Sequence, residues 1–316
     1  MTQTKIIIDC DTGIDDALAI LYALRAPNVH IEGITTVFGN TPVEQAADNT
    51  LRLLALANPG YDIPVALGAT RALVREPGTF APHVHGENGI GNAELAPSPQ
   101  KPIDESAADF IVRKANELPG EIVLVTLGRL TNLAHALDQD PELTRKLKKV
   151  VVMGGNVLGP GNITPVAEAN IWGDPEAADQ VFTSGLPVTM VGLDVTLKTR
   201  ITEEHLNYLN RFGREENKPL IAFMEQSLRY YFNFYREVNY YLGSAPMHDP
   251  LAMMVALQPD MVTYRRMKVR VECQSPLTLG MVVADLRPQP TVGSEIEVAI
   301  DVDPERAVGA FLSVFM

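Results

Sequence analysis

A doubly wound α/β fold, with a mostly parallel open sheet and helices on both faces, is what this 316-residue sequence predicts. Two patterns carry that expectation. Short β-branched runs alternate with helical patterns along most of the chain. Acidic and amide residues collect where several of those runs end, which in an open α/β sheet is the rim of the ligand crevice. No repeat, charge block or linker interrupts the chain, so one domain spanning 1–316 is expected.

The elements follow in order. Residues 6–9, 29–37, 121–126, 149–153 and 187–191 read as strands, and 17–24, 42–57, 105–118 and 175–182 as helices. Between them, 75–102 is rich in Pro, Gly and Asn and contains His83-Val84-His85-Gly86-Glu87-Asn88, a loop long enough to be functional or disordered. Residues 202–242 are helical and later dense in aromatics, ending on Tyr240 and Tyr241. Beyond Pro259, segments 268–273, 277–283 and 295–301 suggest a small antiparallel C-terminal region, closed by a helix over 304–314.

A net charge of −13 provides no footprint for nucleic acid and argues against an anionic membrane surface. Two cysteines, Cys10 and Cys273, cannot make a disulfide framework, and no CxxC suggests a metal knuckle. The opening residues lack the basic and apolar regions of a signal peptide, and no run of 18 apolar residues occurs. A reducing, cytoplasmic setting without a membrane span is therefore expected.

The chemistry concentrates first in Asp9-Cys10-Asp11-Thr12-Gly13-Ile14-Asp15-Asp16. Asp15 and Asp16 in the first turn of a helix would favour its dipole, which accounts for one or two of the four aspartates but not all. Like charges this close raise one another's pKa unless a cation offsets them, and an all-oxygen donor set suits Ca2+ or Mg2+. An EF-hand does not fit, because Gly13 is out of register and Ile20 stands where the bidentate Glu belongs.

Three further constellations matter. In Asn162-Ile163-Thr164-Pro165-Val166-Ala167-Glu168-Ala169-Asn170, Glu168 and Asn170 would share one side of an extended segment and could grip a vicinal diol. As a loop, the same residues would satisfy their own backbone. Asp174-Pro175 reads as a helix N-cap with proline at the first position. Met247-His248-Asp249-Pro250 opens an apolar helix, with Asp249 either its cap or part of a site and His248 suited to proton transfer. The aromatic run Tyr230-Tyr231-Phe232-Asn233-Phe234-Tyr235 serves either core packing or base stacking.

An apolar strand followed by Asp9-x-Asp11-Thr12 resembles the haloacid dehalogenase-type phosphatases, in which the first Asp is a nucleophile and the second an acid/base. Those proteins need a Mg2+-binding acidic pair far downstream, whereas Asp15-Asp16 follow at once. A broader resemblance is to the nucleoside hydrolase family, inosine-uridine-preferring type. Its opening D-x-D-P-G-x-D-D is similar to Asp9 through Asp16, with Thr12 in place of proline. Gly39-Asn40, Leu127 through Asn132, Met153-Gly154-Gly155, Gly161 through Asn170 and His248-Asp249-Pro250 match further family motifs, in order. Six motifs in register make the signal specific. Ala169 stands where many relatives carry an aromatic.

That resemblance implies Ca2+-dependent hydrolysis of a ribonucleoside's N-glycosidic bond, by direct attack of a metal-bound water, in purine or pyrimidine salvage. It implies Asp11, Asp16 and Asp249 as metal ligands, joined by the Leu127 carbonyl. Asp15, Asn40, Asn162, Glu168 and Asn170 would hold the ribose, with His85 approaching from the loop. Asp11 would be the general base, His248 the proton donor to the base, and the helix around Tyr231 and Tyr235 a border of the base pocket. Relatives of this kind are homodimers or homotetramers, so a homo-oligomer is expected.

Overall fold

Eleven strands carry the computed structural model, which describes residues 3–76, 80–239 and 242–316. They are β1 (Thr4–Cys10), β2 (Val29–Thr36), β3 (Val65–Leu67), β4 (Ile122–Thr126), β5 (Lys149–Met153), β6 (Val188–Val191), β7 (Arg200–Thr202), β8 (Ser244–Pro246), β9 (Val262–Val271), β10 (Val282–Ala284) and β11 (Ser294–Val302). Nine form one sheet in the order β10-β9-β11-β6-β5-β4-β1-β2-β3, while β7 and β8 pair separately. From β3 across to β11 every neighbour is parallel, and only β9 runs against the rest, pairing antiparallel with β11 on one side and β10 on the other.

Alternation along β1 shows why the sheet needs cover on both sides. Ile6 and Ile8 join one apolar cluster with the helices Ile14–Arg25 and His248–Leu257. Ile7 points the other way, into a cluster with the helices Ala107–Glu117, Thr131–Gln139 and Pro175–Thr183. All three isoleucines are fully buried, and each contributes roughly 1.5–3 kcal/mol by leaving water.

The order reverses direction between β1 and β4, which carry successive strands outward to opposite sides. Loops leaving such a pair diverge and open a crevice at their carboxyl ends. Asp11 follows β1 there and Leu127 follows β4.

The structure departs from expectation at three places. The short β3 and the helix Thr131–Gln139 were not expected. The C-terminal strands pair antiparallel as expected, β11 with β9 and β9 with β10, and β11 also pairs parallel with β6, so they extend the main sheet. Leu277, expected in a strand, lies in an exposed turn. Among the described residues no helix is long and apolar enough to cross a membrane.

Candidate functional site

The turn from β1 into the helix Ile14–Arg25 is tied down by the side chains it carries. Asp16 accepts the backbone N–H of Gly13 at 2.8 Å and that of Asp11 at 3.2 Å, folding the first helical turn back onto the strand end. Asn40, just past β2, donates its backbone N–H to Asp11 Oδ2 at 2.7 Å. Its Nδ2 lies 3.1 Å from Asp11 Oδ1 and from Asp16 Oδ2. Gly39 is needed beside it, since a Cβ there would overlap the Asp11 carboxylate, and one on Gly128 would lie 3.1 Å from Asp11 Cγ. Thr12 does without the proline's fixed φ: its hydroxyl bonds Thr50 Oγ1 at 2.7 Å, and its carbonyl accepts from Asn49.

From the far end of the chain, the helix His248–Leu257 brings Asp249 to the same place. Asp15, Asp16 and Asp249 each offer an oxygen within 4.8 Å of the others. Asp16 is also within hydrogen-bonding reach of the Asp249 and Asp11 carboxyls. All four groups are buried, and burial first, with mutual repulsion added for Asp11, Asp15 and Asp249, holds their pKa values above the usual carboxylate range. Asp15 is pushed up to about 7. Its Oδ1 has no hydrogen-bond partner, although it is buried.

Four clustered carboxylates with an orphaned oxygen make a poor structural device and a good cradle for a hard cation. The Leu127 carbonyl, just past the end of β4, accepts Asn170 Nδ2 at 2.6 Å, which leaves one of its lone pairs. The residues at hand therefore fit a divalent ion, with Asp15 inside the geometric cluster and Asp11 held beside it by Asn40.

Asp9 takes no part. Its Oδ1 accepts from Thr35 Oγ1 at 2.6 Å and Asn132 Nδ2 at 2.7 Å, and burial pushes its pKa up to about 7. A phosphatase nucleophile must face its substrate, and this carboxyl instead ties β1 to β2 and to the helix Thr131–Gln139.

The substrate residues expected around Glu168 are arranged differently from the extended-strand expectation. Glu168 caps the short helix Ala169–Gly173, accepting from Asn170 N at 2.9 Å and Ile171 N at 3.2 Å, and also takes Gly155 N at 2.9 Å. Asn162 Oδ1 accepts from Ala169 N at 3.0 Å, closing the loop. Asn170 directs its amide NH2 onto the carbonyls of Leu127 and Met153, at the strand ends. Asp174 caps the helix Pro175–Thr183 as expected. Asp249 is not a cap, because that helix already begins at His248.

A line of polar contacts closes the other side. Tyr231 Oη donates to Asp15 Oδ2 at 3.3 Å and lies 3.5 Å from Tyr235 Oη, which is 3.0 Å from His248 Nε2. His248 Nδ1 meets Thr196 Oγ1 at 2.8 Å. Burial lowers the His248 pKa to about 4, so the imidazole is neutral at pH 7. His85 accepts the Ile14 N–H at 3.1 Å through Nδ1, 4.0 Å from Asp15 Oδ1, and burial holds its pKa down at about 3. The aromatics at 231 and 235 thus serve core and site together, while Tyr240 and Tyr241 lie outside the described residues. Thr196 was not singled out from sequence, having no local motif to mark it.

Residues 6–309 match the family described as inosine-uridine preferring nucleoside hydrolase. Uridine nucleosidase 1 of Arabidopsis thaliana is 40% identical over 309 residues, covering 95% of this chain and 90% of the relative. Among solved structures, a plant nucleoside hydrolase, the PpNRh1 enzyme, superposes with a TM-score of 0.92 at 36% identity, covering 99% of this chain and 98% of its own. A purine-preferring ribonucleoside hydrolase from Gardnerella vaginalis does so with a TM-score of 0.91 at 37% identity, covering 98% of each.

Proposed function

Because the chain belongs to the inosine-uridine preferring nucleoside hydrolase family, enzymes that hydrolyse ribonucleosides, we propose that it splits them into free base and ribose with Ca2+ in the acidic cluster. The observation that carries the reading is the meeting of Asp11, Asp15, Asp16 and Asp249 at the β1–β4 switch point. When bound, the cation would be held by Asp11, Asp16, Asp249 and the Leu127 carbonyl, and would supply positive charge for orienting the sugar diol and acidifying water.

The chain's own residues do the rest. Asp11, aligned through both oxygens by Asn40, takes the proton from the attacking water, whose oxygen forms the new bond to C1′ as the C–N bond breaks. Charge on the sugar peaks in an oxocarbenium-like state, and carboxylates beneath the ring stabilise it. Asp15, Asn40, Asn162, Glu168 and Asn170 hold the sugar oxygens, and His85 closes over the ligand. His248 is the proton donor to the departing base; neutral at rest, it takes up a proton along the Tyr235 hydroxyl that meets its Nε2 as it gives one to the leaving group. No covalent intermediate is needed, and the anomeric carbon inverts. One domain, a homo-oligomeric assembly and a cytoplasmic setting belong to the same reading.

The names of the relatives divide between uridine and purine ribonucleosides, so the test uses both classes. Purified protein is incubated with inosine and with uridine, and reducing sugar is measured with Ca2+, with chelator, and after Ca2+ is restored. Release that chelator abolishes and Ca2+ restores is the expected result; release indifferent to chelator removes the cation from the reading.

His248→Ala separates the acid role from a packing role. A purine presents N7 for protonation and a pyrimidine has no equivalent ring nitrogen, so kcat/KM for inosine should fall about 10²–10⁴-fold and for uridine much less. Equal losses on both substrates would mean that His248 does something other than protonate the leaving group.

A further inference from the structure

Arg129 is a cation built into the wall of an acidic site. It follows Gly128 beyond β4 and is only 7% exposed. Its guanidinium carbon sits 4.2 Å over the Phe38 ring. On its other side it presses against Gly173, where a side chain would overlap it. Phe38 adjoins Gly39 and Arg129 adjoins Gly128, the two glycines against which the Asp11 carboxylate packs. The stacked pair therefore flanks Asp11.

Yet no hydrogen bond or ion pair holds the guanidinium among the described residues. The two other acidic groups near it are already engaged. Asp174 accepts from Thr131 Oγ1, Leu73 N and Ala177 N. Glu168 accepts from three backbone N–H groups. A buried, unpaired cation is costly, and the field of nearby carboxylates is what offsets that cost here. The converse follows, because a fixed positive charge beside Asp11 acts on anything else positive that approaches.

We propose that Arg129 is an electrostatic positioning residue: standing beside Asp11, it weakens the hold of the acidic cluster on a divalent cation while protecting the metal-free site from self-repulsion. This rests on the preceding reading that the cluster takes Ca2+. It requires Arg129 neither to touch the cation nor to change its own protonation, only to remain charged and in place.

The test uses the full chain stripped of metal, with Arg129→Met, which keeps a flexible apolar contact on Phe38 but loses the charge, and Arg129→Lys, which keeps it. Ca2+ affinity is measured by isothermal titration calorimetry, and melting temperature with chelator and with saturating Ca2+. The methionine variant should bind Ca2+ about tenfold tighter or more. Its melting temperature should fall in chelator and recover with Ca2+, while the lysine variant stays near wild type. A folded methionine variant whose Ca2+ affinity is unchanged or weaker overturns the proposal, as does an equal loss of melting temperature in both conditions, which is what lost packing alone would give. Should that variant not fold, Arg129→Gln carries the same comparison. If neither wild type nor variant binds Ca2+, the preceding reading falls and this one with it; a wild type that binds with an indifferent variant sinks this one alone.

Discussion

Replacing Asp11 by asparagine is expected to lower kcat by about 10³-fold or more for every ribonucleoside turned over, while leaving the fold intact. The amide has the size of the carboxylate and can still accept a hydrogen bond from Asn40. It cannot take a proton from water. The substitution also removes one of several crowded negative charges, so the melting temperature in chelator should stay level or rise. Loss of activity without loss of stability is the signature sought. Turnover within tenfold of wild type would assign the base to another group.

Metal removal should make stability depend on pH in an unusual direction. Most carboxylates in folded proteins have lowered pKa values and stabilise more as pH rises. Asp11, Asp15, Asp16 and Asp249 have raised ones, because burial penalises the charged form of each and like charges add to that for Asp11, Asp15 and Asp249. Between the unfolded value, near 4, and the folded one, about 7 for Asp15, the native chain binds more protons than the unfolded chain. Its stability therefore falls as pH rises through that window. In chelator, the melting temperature should drop by about 5 °C or more from pH 5 to pH 8. Saturating Ca2+, binding the native state alone, should flatten the slope. A metal-free melting temperature that is constant or climbs over that range would contradict the burial of these groups as a charged set.

How much of this was legible in the chain depends on the range of the interaction. The strands at the sheet's centre are written in local periodicity, and the acidic turn in local composition, so both could be read directly. Strand order could not: nothing in 295–301 says that it will lie parallel to β6 as well as antiparallel to β9. The helix Thr131–Gln139 was hidden because it starts on Leu130 with no capping side chain, inside a segment whose other features suggested a strand end. Glu168 is a poor capping type, so its role as one left little trace. Thr196 reaches His248 across 52 positions, a contact created only by the fold. Arg129 lies inside a matched motif without marking itself as special there, and its importance emerges from what surrounds it and what fails to bind it.

Asp9, the one member of the opening acidic run that stays out of the cluster, has an effect larger than its own two bonds. Its partner Asn132 also donates to the Thr36 carbonyl and accepts the N–H of Ala69, so one amide staples β1, β2 and the segment after β3 beneath the crevice. Strand tips fastened in this way cannot slide past one another. The floor that presents Asp11, Asn40 and Leu127 is thereby held as a unit, so on the proposed function any accommodation of differently shaped bases would fall to the loop bearing His85 and the long helix bearing Tyr231 and Tyr235.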